Sequence, residues 1–321
     1  MTHAVLCLRP RADFERVDAL PPGSLEVSYG KPDDPQLSAM VARSRALVIP
    51  AVGGKLAAPL FEGARLALVQ VTGAGVDRLD AGAMKRLGIP VANVPGGSNA
   101  AVAEYVVTTA SLLLRRFAWA DAEIRAGNYA AFRARMLADN LAGLDGLTVG
   151  LVGLGAIGLA VAAAFERAGC RVVYHDPAPR EAPGARRVGL DELLAVSDVV
   201  SVHVPLAPET TGLVGERQLA AMKPGAVLVQ ASRGGVVDEA ALARALESGR
   251  LGGAAVDVYS SEPPASDHPL LALRGDAARR LLLTPHVAGV TRQSSALLFR
   301  SAWANVERVL VKGEPPHHRV Y

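Results

Sequence analysis

Two cysteines in 321 residues, 4% aromatics and a formal net charge of only +3 narrow the possibilities before any motif is read. Cys7 and Cys170 cannot form a disulfide framework, and no CxxC pair or Cys/His cluster has zinc spacing. Both sit in apolar runs, so a cytoplasmic protein with two inert buried thiols and no metal is expected. Near-balanced charge and few stacking rings argue against a nucleic-acid partner. The densest basic places, Arg115–Arg116 and Arg279–Arg280, read as solvated helix faces. The run from Gly146 to Phe165 lacks charge over about the length of a membrane span. Glycines at 150, 153, 155 and 158 would riddle such a helix, so no membrane segment is expected. The opening MTHAVLCLRP is interrupted too soon to read as a secretory leader.

Half the residues are apolar and a fifth charged, enough for ordinary cores in two domains. The first hundred residues alternate strand candidates (4–8, 25–29, 46–50, 66–71, 89–94) with helical stretches such as Arg78–Leu87. A long helix follows within 96–116, capped by Ser98 or Asn99, with Arg115 and Arg116 in its last turn. A second alternating series begins at Leu147 and runs to LLLTP at 281–285, with a helix over 238–249. The final amphipathic stretch, 291–311, is expected to return to the first domain. These patterns predict an α/β chain of two doubly wound parallel-sheet domains. One is discontinuous, 1–99 with 291–321, and the other is a Rossmann domain over 100–290.

VGLGAIG, Val152–Gly158, carries G-x-G-x-x-G between a strand and a helix, the context a dinucleotide site needs. Gly153 allows the tight turn, Gly155 lets backbone approach a pyrophosphate, and Gly158 lets helix and strand close up. Free N–H groups at the helix start favour the phosphates. Asp176, ending the next strand, suits adenosine-ribose hydroxyls and repels a 2′-phosphate. NAD is therefore preferred and NADP disfavoured, although Arg180 nearby blurs the preference. An S-adenosylmethionine site uses a similar turn and is the rival at this stage.

Three ionisable residues fall just past strands at the edge where doubly wound sheets bind ligands: Arg233, Glu262 and His286. Together they suit proton transfer beside a bound carboxylate. His203 ends another strand there and is expected to line the site without catalysing. His175 reads as strand filler, and His3, His268, His317 and His318 fall at termini or in loops.

The segments TGAGVDRLD (72–80), VANVPGGSNAAVAE (91–104), GLVGLGAIG (150–158), HVPLAPETTGLVG (203–215), MKPGAVLVQASRGGVVDE (222–239), GAAVDVYSSEP (253–263) and LTPHVAG (283–289) occur in this order. In them the chain resembles the D-isomer-specific 2-hydroxyacid dehydrogenases, which include phosphoglycerate dehydrogenases and glyoxylate/hydroxypyruvate reductases. The resemblance implies a flavodoxin-like substrate domain beside the Rossmann domain, and a catalytic set of Arg233, Glu262 and His286. It implies cofactor contacts from Gly153, Gly155, Ala156, Ile157, Gly158, Asp176, His203, Val204, Pro205, Ala231, Ser232, Arg233, Asp257, His286, Ala288 and Gly289, with Val102 near the nicotinamide. Asp257 would hold the carboxamide. Ala74 and Gly75 would offer backbone N–H groups to the substrate carboxylate, alongside Arg233 and His286. A homodimer is implied as well.

The chain departs from the family pattern in three places. Gln230 stands where asparagine is usual before the arginine. Extra arginines precede the histidine, in ALRGDAARRLLLTP. VIPAVGG (48–54) offers small residues, with only Lys55 nearby, where a phosphate-binding basic residue occurs in phosphoglycerate dehydrogenases. A small unphosphorylated 2-keto acid is therefore the expected substrate. The alternative reading is a non-catalytic NAD-sensing protein of the corepressor kind, against which the presence of all three ionisable residues argues.

Overall fold

The computed structural model describes residues 3–178 and 180–321. Strands β1 (Ala4–Cys7), β2 (Glu26–Tyr29), β3 (Ala46–Ile49), β4 (Leu68–Val71) and β5 (Val91–Ala92) form one parallel sheet in the order β2-β1-β3-β4-β5. Strands β6 (Thr148–Val152), β7 (Arg171–His175), β8 (Arg186–Arg187), β9 (Val199–Val202), β10 (Val227–Gln230), β11 (Gly253–Val256) and β12 (Leu281–Leu283) form a second. Its order is β12-β11-β10-β9-β6-β7-β8, again all parallel. Two compact units result: Met1–Ser98 with Val290–Tyr321, and Asn99–Gly289.

Both sheets are buried on both faces, which explains why their strands read as unbroken apolar runs. Along β10, Val227 and Val229 enter one core while Leu228 enters the other. Along β3, Leu47 and Ile49 point to one core and Ala46 and Val48 to the opposite one. The helix Arg292–Leu310 covers the second of these with Phe299, Trp303 and Val306. There the scarce aromatics meet: the Phe14 ring lies 4.7 Å from Phe299 and 5.1 Å from Trp303, contacts worth about 0.5–1.5 kcal/mol each beyond their burial. Thr291 starts this helix by accepting from the Ser294 N–H at 3.1 Å.

Several local expectations are corrected. The long apolar helix spans Asn99–Leu114, so Arg115 and Arg116 lie beyond its end. Arg116 takes a left-handed φ of 52° and pairs with Asp139. Asp80 caps at the Ala83 N–H, so the helix expected from Arg78 begins at Ala81. Strand β8 had no apolar signal because its two residues are exposed arginines that pair through their backbone with β7. One of the extra arginines before β12 has a structural use: the Arg279 guanidinium stacks over Trp119 beside those of Arg116 and Arg135, and it also pairs with Glu123 at 2.8 Å. Both thiols are buried and free, and burial pushes Cys7 up to about 12. No helix among the described residues is long and apolar enough to cross a membrane.

Candidate active site

In the seven-stranded sheet the direction of strand order reverses between β6 and β9, and at such a point parallel sheets open a crevice at their carboxyl edge. The glycine turn leaves β6 there. Gly153 has φ +96°, and a Cβ on it would stand 2.7 Å from the His203 carbonyl oxygen. A Cβ at Gly158 would stand 2.4 Å from the Gly153 carbonyl oxygen, so strand end and helix start touch through bare backbone. Gly155 has nothing within 4 Å of the same position, which leaves the start of the helix Ala156–Arg167 open to an incoming phosphate. Those features fit a dinucleotide. Ala156 is exposed and Ile157 half-buried at this opening.

Asp176 follows β7 and is buried. Its Oδ2 accepts from the Leu154 N–H at 2.8 Å, tying it to the glycine turn, and its Oδ1 accepts from the Ala178 N–H at 2.9 Å. Arg180 approaches the same carboxylate at 3.5 Å, and Arg187 donates to the Asp176 carbonyl oxygen at 2.7 Å.

His203, Val204 and Pro205 follow β9. The His203 Nε2 lies 2.8 Å from the Ser201 hydroxyl, and burial pushes this imidazole down from 6.5 to about 4. Between those values the unfolded chain binds a proton that the folded chain refuses. The resulting penalty is absent above pH 6.5, grows as pH falls, and reaches on the order of 3 kcal/mol below pH 4. His203→Gln is expected to flatten the loss of stability between pH 6.5 and 4 in urea unfolding; a slope identical to wild type would refute this account.

Arg233, Asp257, Glu262 and His286 come from the carboxyl ends of β10, β11 and β12, which are neighbours in register (Gln230 beside Val256, Val256 beside Leu283). Gln230 is 2% exposed and braces the arginine loop from inside. Its Oε1 accepts from the Ser232 hydroxyl at 2.8 Å, and its Nε2 donates to the Arg233 carbonyl oxygen at 2.8 Å. The departure from asparagine is thereby absorbed. The Arg233 guanidinium donates to the Ser232 carbonyl oxygen at 2.8 Å, and Ala231 is half-buried beside them.

A Cβ on Gly234 would fall 1.9 Å from the carbonyl carbon and oxygen of Tyr259. The loop bearing Arg233 therefore lies directly against the turn that leads to Glu262.

His286 has a left-handed φ of 55°, a conformation that costs a non-glycine residue energy and needs support from its surroundings. Asp257, 1% exposed, supplies that support. Its carbonyl oxygen accepts the His286 N–H at 2.8 Å, Oδ1 accepts the Val287 N–H at 2.8 Å, and Oδ2 accepts the Ala288 N–H at 2.8 Å. The Thr284 hydroxyl donates to Oδ1 at 2.5 Å and receives a bond of 2.7 Å from Tyr105. With its backbone so held, the His286 Nδ1 lies 2.9 Å from Glu262 Oε2 and 3.1 Å from Oε1. The carboxylate leaves Nε2 as the ring nitrogen turned away from it. Both side chains stay about a quarter exposed, accessible to a ligand.

Val102 is buried in the core that also contains Ala288. In the other unit, Ala74 is exposed and Gly75 half-buried in the loop after β4, where the Ala74 carbonyl oxygen accepts from Asn93 at 2.6 Å. His268, expected in a loop, caps the short helix Pro269–Ala272 but is 8% exposed and bonded to Glu239. Sequence reasoning missed Glu239, Thr284 and Tyr105 too. No spacing rule joins residue 239 to 268, or 105 to 284, because those pairings are made only by the fold.

The profile of the D-isomer specific 2-hydroxyacid dehydrogenase, NAD binding domain, matches residues 107–288. The D-3-phosphoglycerate dehydrogenase of Archaeoglobus fulgidus is 37% identical over 265 residues, 81% of this chain and 47% of that protein. The glyoxylate reductase of Aeropyrum pernix is 34% identical over 264 residues, 80% of this chain and 77% of that protein. The crystal structure of the TT0316 protein from Thermus thermophilus matches with a TM-score of 0.84 at 33% identity, covering 99% of this chain and 100% of that one. This chain belongs to the D-isomer-specific 2-hydroxyacid dehydrogenase family. Its match spans about half the length of the phosphoglycerate dehydrogenase (47%) and most of the glyoxylate reductase.

Proposed function

We propose that the protein is an NAD-dependent oxidoreductase interconverting a small 2-keto acid and its D-2-hydroxy acid. The observation that carries this reading is the hydrogen-bonded His286–Glu262 pair, set at the carboxyl edge of the sheet that bears the glycine turn. When bound at that turn, NADH supplies the hydride that C2 of the keto acid receives. His286 Nε2 delivers the proton that the carbonyl oxygen takes up as the C=O electron pair moves onto it, and in reverse it removes that proton. Glu262 holds the ring by Nδ1, so that Nε2 faces the substrate. Arg233 grips the carboxylate with its planar fork, which lysine would do less well. Asp257 clamps the histidine loop, and its remaining lone pair is offered to the carboxamide. Val102 shapes the nicotinamide end. The other backbone contacts fall to Ala156, Ile157, Val204, Pro205, Ala231, Ser232, Ala288 and Gly289.

Preference for NAD over NADP is supported by the buried Asp176 carboxylate at the turn. An unphosphorylated substrate is supported by the Pro50–Gly54 loop, where Arg78 already donates to the carbonyl oxygens of Gly54 (2.8 Å) and Pro50 (3.1 Å). A homodimer belongs to the same reading, supported by exposed Phe117, Ile124, Tyr129 and Leu137 in the unit 99–289, and a cytoplasmic location is proposed with it. The test is NADH and NADPH oxidation over a panel including glyoxylate, hydroxypyruvate and 3-phosphohydroxypyruvate, with sedimentation of the same preparation. NADH turnover with an unphosphorylated acid is expected; no turnover with any keto acid would replace this reading with the NAD-sensing one.

A further inference from the structure

Glu239 lies in the first turn of the helix Glu239–Glu247, and its carboxylate is only 12% exposed. A carboxylate so withdrawn from water persists where donors satisfy it, and the donors here are specific. Oε1 accepts the Ser260 N–H at 2.7 Å. Oε2 accepts the Ser260 hydroxyl at 2.6 Å and faces the His268 Nε2 at 2.8 Å. The His268 Nδ1 accepts the Leu270 N–H at 3.3 Å, which places the ring proton on Nε2 and makes this neutral imidazole the donor. Beneath it the Tyr259 ring packs edge-on, centroids 5.8 Å apart at 87°, and the Tyr259 hydroxyl donates to the Thr284 carbonyl oxygen at 3.0 Å.

Residues 259 and 260 are thus held from three sides, and they begin the turn that delivers Glu262. The Tyr259 N–H donates to Glu262 Oε1 at 3.1 Å, the same oxygen that lies 3.1 Å from His286 Nδ1. The contact at Gly234 places the Arg233 loop on the same two residues.

We propose that Glu239 and His268 are positioning residues for the proton-transfer pair. By anchoring Ser260 they fix the turn 259–262, and through it the Glu262 carboxylate on His286. This rests on the oxidoreductase reading of that pair. Neither residue is among those proposed to contact the substrate, and their effect on kcat is assigned to Glu262, because the Arg233 loop that meets the same turn is proposed to bind the carboxylate and not to transfer the proton.

The test uses His268→Phe, which keeps a ring against Tyr259 and removes the donor, and His268→Gln, which restores an N–H. Glu239→Gln is a further variant, with Oε2 replaced by a donor. His268→Phe and Glu239→Gln are expected to lower kcat about ten- to a hundredfold, with the Kd for NADH unchanged and with His268→Gln recovering most of the rate. In a Glu262→Gln background His268→Phe should cost less than about twofold, because the group it acts through is already gone. A full loss repeated in that background, or wild-type kcat in both His268→Phe and Glu239→Gln, overturns the proposal. Nitrogen-15 spectra of the His286 ring give a readout independent of turnover: the Nδ1–H signal bonded to carboxylate should be lost in His268→Phe and return in His268→Gln. An unchanged signal overturns the positioning role whatever the activity. A lost signal in a protein whose wild type reduces no keto acid upholds the positioning and sinks the oxidoreductase reading instead.

Discussion

Substituting glutamine for His286 is expected to cut keto-acid reduction by about 10²–10⁴-fold, the usual contribution of a placed acid–base group. The amide keeps a polar group of similar reach near Glu262 but has no proton to release at the substrate oxygen. The glycine turn, Asp176 and the phosphate-facing helix start are untouched, so the Kd for NADH should stay within about twofold. A loss confined to kcat also distinguishes an acid from a binding residue, which would raise KM instead. Steady-state kinetics with NADH fluorescence titration decide it: turnover within about tenfold of wild type would remove His286 from the proposed chemistry.

The second large effect is expected at Asp257. Its carboxylate accepts three bonds, from the Thr284 hydroxyl and the Val287 and Ala288 N–H groups, while almost wholly buried. Asparagine preserves the shape but turns one acceptor into a donor that meets a donor. Bonds to a charged group are worth about 1.5–3 kcal/mol each, and an orphaned buried N–H adds its own penalty. Asp257→Asn is therefore expected to lose about 3 kcal/mol of stability in urea unfolding. It should also slow turnover roughly a hundredfold, since the left-handed backbone at His286 loses its brace. A variant with near wild-type melting and kcat would show that the loop holds itself.

The sheets were legible in the amino-acid pattern because strands buried on both faces leave runs such as AVLVQ that no amphipathic helix would produce. The glycine turn was legible because its spacing answers to local backbone geometry. Arg233, Glu262 and His286 were found individually by their places after strands, and the bond between two of them emerged only in three dimensions. Illegible residues fail for one physical reason. Glu239, His268 and Tyr105 act through partners whose separation in sequence bears no relation to their separation in space. Strand β8 was hidden differently, as backbone pairing without an apolar side chain to betray it.

The bare backbone crossing at Gly234 limits how this protein can be altered. No alanine, let alone a bulkier group, fits between that α-carbon and the Tyr259 peptide without parting the two segments. Guanidinium and acid are consequently coupled through one seam, and a shift imposed on either is transmitted to the other. Libraries aimed at new substrates should keep residue 234 invariant.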